Sequence, residues 1–216
     1  MTQLEITTCY HCNAEGTGRE HVPPKCLFPK GAGWSKLMTV PSCVAHNNAR
    51  SKADEYLKLL LGASVSTIPE TIRASTARSV IRLAQRRSSN LRSYGLRWDS
   101  EILVIENDFF LDFELLSAGL QKIARALYFH HHRGRRKLQV DLKVCPLFIP
   151  IDASVAPELA AAVCEVRAST ALDFQQLPKL GTHQEIFAYQ VIDTPKTVVI
   201  NMEFYGSQWV SVMGPI

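Results

Sequence analysis

Two residues separate Cys9 from Cys12, and two separate Cys43 from His46 some thirty residues later. A Cys-x-x-Cys knuckle places two thiolates at adjacent corners of a tetrahedron without straining the backbone, and a second pair can fill the other corners from the start of a helix. Three thiolates and one imidazole make an ordinary structural zinc shell. Such a shell is closed, so it cannot activate a water, and any reaction must come from other residues. Between the two pairs stand a carboxylate and a histidine, Glu20 and His21, and Asn47 directly follows the second pair, an arrangement that suggests a second, catalytic metal site. Asn47 alone also fits a helix cap, and Asn48 fits either role. His11, inside the knuckle, is expected to point away from the metal, and Cys26 has no x-x partner.

These residues need a scaffold that the local sequence hardly provides. From Cys9 to about Val44 the chain is rich in turn formers (Gly16, Gly18, Pro23, Pro24, Pro29, Gly31, Gly33, Pro41), so a metal staple would supply folding energy that a small core cannot. A short strand is expected before Cys9, over residues 1–8, and another over Leu37–Val40. A helix is expected from His46 or Asn47 to about Leu61, stopped by Gly62, with Ala53, Tyr56, Leu57, Leu60 and Leu61 on its apolar face.

Beyond residue 62 the periodicity predicts a helix from Thr67 to about Asn90, a strand over Glu101–Ile105, and a helix from Phe113 to about His132 ended by Gly134. Leu142–Ile151 reads as extended and Pro157–Ala168 as helical. The strongest β signal comes last: Glu185–Ile192, a turn at Asp193–Lys196, and the alternating Val198, Ile200, Met202 and Phe204 of a half-buried strand. A hairpin turn at Gly206–Ser207 then leads into Gln208–Met213. The fold class read from this pattern is α+β: a small zinc-stapled module over residues 1–62, then residues 63–216. The second part is helical over about 67–134 and ends in antiparallel strands.

The pattern Cys-x-x-Cys, Glu20-His21-Val22-Pro23-Pro24-Lys25, Cys43-x-x-His46-Asn47-Asn48-x-x-Ser51-Lys52 resembles the HNH endonucleases, a nuclease family with a ββα-metal module, over about Cys9 to Tyr56. The resemblance implies phosphodiester hydrolysis, most simply of DNA. Glu20 and Asn47 would hold a catalytic Mg²⁺ or Mn²⁺ ion, and His21 would be the general base, its ordinary pKa lying near neutrality. Cys9, Cys12, Cys43 and His46 would hold the structural Zn²⁺, and Arg50 and Lys52 would hold phosphates. Two positions depart from the family pattern. His46 stands where a fourth cysteine is usual, and no asparagine lies between Ala14 and Ala45 to serve as the family's middle asparagine, whose place falls at Ser35 or Lys36.

Composition narrows the remaining classes. The chain has 216 residues, a net charge of +4 and 46% hydrophobic residues, which fits a globular protein and neither a disordered nor a fibrous one. No apolar run reaches bilayer length and the first residues do not resemble a signal peptide, so a cytoplasmic protein is expected, where clustered cysteines bind metal more often than they form disulfides. Cys145 and Cys164 read as small core residues. Arg78, Arg82 and Arg86 would line one face of the second helix, as a phosphate contact or as a solvated face. Arg133 to Lys137 form a second basic cluster, for which the helix dipole is explanation enough. A zinc module that binds nucleic acid or protein without cutting is the alternative reading.

Overall fold

The hairpin that carries Glu20 and His21 is β1 (Gly18–His21) paired antiparallel with β2 (Thr39–Ser42), with Gly18 opposite Ser42 and His21 opposite Thr39. A computed structural model describes residues 8–29, 36–48, 51–63, 96–99, 102–105 and 111–216. The first expected strand lies almost wholly outside these residues, and β2 begins two residues later than Leu37. Between the strands the chain passes a cis Val22–Pro23 bond and a 3-10 turn at Lys25–Leu27.

The helix expected after Cys43 is described as α1 (Val44–Asn48) and α2 (Ser51–Ala63), with residues 49 and 50 outside the described residues. The apolar face of α2 is as read: Ala53, Tyr56, Leu57, Leu60 and Leu61 are all buried. Next comes a two-stranded pair, β3 (Leu96–Asp99) and β4 (Ile102–Ile105). The helix expected at Thr67–Asn90, with Arg78, Arg82 and Arg86, lies outside the described residues, as does Arg50.

Helix α3 (Phe113–His131) is the central rod. Asp112 caps it by accepting from the Leu115 N–H at 2.9 Å, and the chain leaves through left-handed Arg133 and Gly134. Leu116, Leu120, Ile123, Ala124 and Leu127 are buried at helical spacing, although Phe113 is exposed. After it come β5 (Lys143–Pro146), α4 (Pro157–Gln176), β6 (Leu180–His183), β7 (Phe187–Asp193), β8 (Thr197–Phe204) and β9 (Gln208–Pro215). The five strands form an antiparallel sheet in the order β5-β9-β8-β7-β6. The class is α+β, as expected.

Strand β8 is not half-buried. Val198, Ile200, Met202 and Phe204 join the main core, while Asn201 and Glu203 on the other face are buried as well. The polar face is satisfied in part by Asp173, whose carboxylate accepts from Asn201 at 2.8 Å, and by Lys179, paired with Glu203 at 2.6 Å. One buried cluster runs from Cys9 through α3 to Val212, so the hairpin, α2 and the sheet pack together. The Tyr205 hydroxyl donates to the Leu27 carbonyl at 2.8 Å, and the Gln208 amide to that of Leu61 at 3.0 Å. Cys164 is exposed and Cys145 half-buried, so neither is the core residue expected. Among the described residues no helix is long and apolar enough to cross a membrane.

Candidate functional site

The knuckle at Cys9–Cys12 is closed by backbone bonds: the Cys9 N–H donates to Ala14 O at 2.8 Å, and Tyr10 N–H to Pro41 O at 2.9 Å. The second pair sits where β2 runs into α1. The ligand atoms of Cys9, Cys12, Cys43 and His46 all lie within 4.8 Å of one another. Cys12 Sγ is 3.8 Å from Cys43 Sγ, and His46 Nδ1 is 3.6 Å from Cys9 and from Cys12 and 3.1 Å from Cys43. A tetrahedral zinc with Zn–S near 2.3 Å and Zn–N near 2.0–2.1 Å has edges of about 3.8 Å between sulfurs and about 3.6 Å from sulfur to nitrogen. The four residues can hold a metal ion such as zinc, bound through Nδ1 of His46.

The surroundings support that shell. Burial raises the Cys9 thiol, but backbone N–H groups, including that of His11 at 3.4 Å from its sulfur, outweigh it, and the net direction is toward the thiolate. The His11 ring stacks on His46 with centroids 4.0 Å apart, which keeps it off the ligand set as expected. Desolvation, then His46 and Arg125, push the His11 pKa down to about 4, so its ring is neutral at pH 7. Lys137, just past α3, donates to Cys12 O at 2.6 Å and to Asn13 Oδ1 at 3.3 Å. One member of the C-terminal basic cluster thus pins the knuckle, a role that the helix dipole does not explain.

The hairpin presents the second set. Glu20 and His21 are neighbours on β1, so their side chains leave opposite faces of the strand, Glu20 buried at 3% exposure and His21 half-buried. Gly18 shares the Glu20 face, and Asn47 from α1 leans over it: a Cβ at Gly18 would stand 3.1 Å from Asn47 Nδ2. Asn47 Oδ1 is buried and accepts no hydrogen bond among the described residues. A buried amide oxygen without a donor is costly unless something else satisfies it, and a hard cation would do so. Lys52 is exposed on α2, and Lys36, one candidate for the place of the absent asparagine, is exposed ahead of β2.

Two residues that sequence reasoning missed complete the site. Lys122 of α3 contacts Asp54 Oδ1 at 2.7 Å and approaches Glu20 Oε1 at 3.8 Å. A signal for Lys122 was available, because at helical spacing it lies between Gly119 and Ala126, both buried, so the helix brings the lysine inward. A scan against protein-family models matches none of them, and searches of the curated proteins and of the solved structures give no significant match.

Proposed function

We propose that the chain is a metal-dependent endonuclease of the HNH type that hydrolyses phosphodiester bonds in DNA. One observation carries the reading: the Asn47 amide lies against Gly18, on the same strand face as Glu20, its buried oxygen accepts no hydrogen bond among the described residues, and α1 also carries the cluster residue His46. Glu20 and Asn47 would hold a Mg²⁺ or Mn²⁺ ion, whose chemistry is Lewis-acid stabilisation of the departing 3′ oxygen. His21, on the more open face of β1, would take the proton of the attacking water. The Cys/His cluster would hold structural zinc and take no part in the chemistry. Lys52 is exposed on α2 and available to a phosphate; Arg50, Arg78, Arg82 and Arg86 would extend that contact.

A second reading, a zinc module that binds nucleic acid or protein without cutting, is favoured by the ammonium beside Glu20 and by the absent middle asparagine. Supercoiled plasmid incubated with zinc-loaded protein and a series of divalent ions separates the two. Nicking with Mg²⁺ or Mn²⁺ that EDTA abolishes supports the nuclease; salt-sensitive binding with no nicking under any ion supports the module.

A further inference from the structure

Glu20 already has a cation beside it. Lys122 Nζ lies 2.7 Å from Asp54 Oδ1 and 3.8 Å from Glu20 Oε1, and the side chains of the three are at most 14% exposed. Carboxylates this far from water require a compensating charge. Among the described residues, Lys122 lies close to both unequally, hydrogen-bonded to Asp54 and only within ion-pair range of Glu20. The three side chains come from different elements, β1, α2 and α3, so the arrangement is set by the tertiary fold and not by one helix.

We propose that Lys122 is a movable counter-cation for Glu20, and that Asp54 is the residue that draws it aside when a divalent ion engages Glu20. The proposal rests on the reading of Glu20 as a ligand of that ion. An ammonium and a divalent ion next to one carboxylate repel each other, so the ammonium competes with the ion. Asp54 relieves the competition because Lys122 is already hydrogen-bonded to it and loses nothing by withdrawing. Lys122 and Asp54 are then positioning residues, and their removal has opposite consequences. Without Lys122 the competitor is gone; without the Asp54 charge the ammonium settles on Glu20.

The test is Mn²⁺ binding by zinc-loaded protein, followed by electron paramagnetic resonance, with circular dichroism to verify folding. Lys122→Met is expected to bind Mn²⁺ about tenfold more tightly than the unaltered protein, and Asp54→Asn about tenfold more weakly. If Lys122→Met does not fold, the double variant Lys122→Met/Asp54→Asn replaces it and should bind at least as tightly as the unaltered protein. A merely structural role would weaken binding in all of these variants, and that result, or no change in any of them, overturns the proposal. Glu20→Gln separates the levels. If it leaves Mn²⁺ uptake untouched, the reading of Glu20 as a ligand falls. If it abolishes uptake while the other variants all shift in one direction, only the counter-cation proposal falls.

Discussion

Removing the metal from the Cys/His cluster should destabilise the protein by an amount that follows from the site. Cys9 is fully buried, Tyr10 and Cys43 nearly so, and all three belong to the cluster that continues into α3 and the sheet. Losing the ion therefore loosens part of the common core and not a detached loop. A ligand present at a thousand times its dissociation constant stabilises the native state by about 4 kcal/mol. For a chain of roughly 150–250 residues, each kcal/mol moves the melting temperature by about 2–4 °C. Chelation should thus lower Tm by about 8–16 °C, and Cys43→Ser should melt low whether or not chelator is added. Thermal melts with and without a zinc chelator, on samples whose metal content is measured, provide the check. Metal-free protein that melts at the same temperature as the zinc-loaded form would refute the staple.

Gly18→Ala is expected to reduce any cleavage about tenfold while leaving Tm nearly unchanged, because the new methyl meets the Asn47 amide nitrogen at 3.1 Å and shifts the amide slightly from its place. Cleavage rates and melts on the same variant test this together. Tyr205→Phe leaves the buried Leu27 carbonyl without the hydroxyl that now donates to it, and should cost about 1–3 kcal/mol by denaturant titration. In an alkylation time course at pH 8 read by peptide mass spectrometry, Cys164 should react and Cys26 should not. Cys164 is exposed, whereas desolvation, then the Asp54 carboxylate, push the Cys26 thiol up to about 11.

The parts legible in the sequence are those set by short spacing. Two x-x pairs suffice to propose a shell, because a knuckle is a local structure, and Glu20-His21 needs only an extended segment to send its side chains apart. The α3 face and the alternation of β8 are equally local. What escaped depends on distant residues. Lys122 meets Asp54 across 68 positions, and no periodicity pairs them. Asn201 and Glu203 are buried by partners far from them in sequence, Asp173 of α4 for Asn201 and Lys179, just past α4, for Glu203. α4 itself runs past Ala168 to Gln176, with Phe174 buried and its ring 5.8 Å from that of Trp209, another partner far along the chain. β6 was missed because Leu180-Gly181-Thr182-His183 does not alternate, and its pairing with β7 is irregular.

The claim that His21 performs acid–base chemistry beside a bound divalent ion has one direct test. Single-turnover cleavage of a DNA duplex by zinc-loaded protein with Mg²⁺ or Mn²⁺ should fall about 10²–10⁴-fold in His21→Ala, the usual contribution of a general base. Zinc content and Tm, measured on the same samples, should not change. Equal rates for the two proteins, or no cleavage by either under any divalent ion, would contradict it.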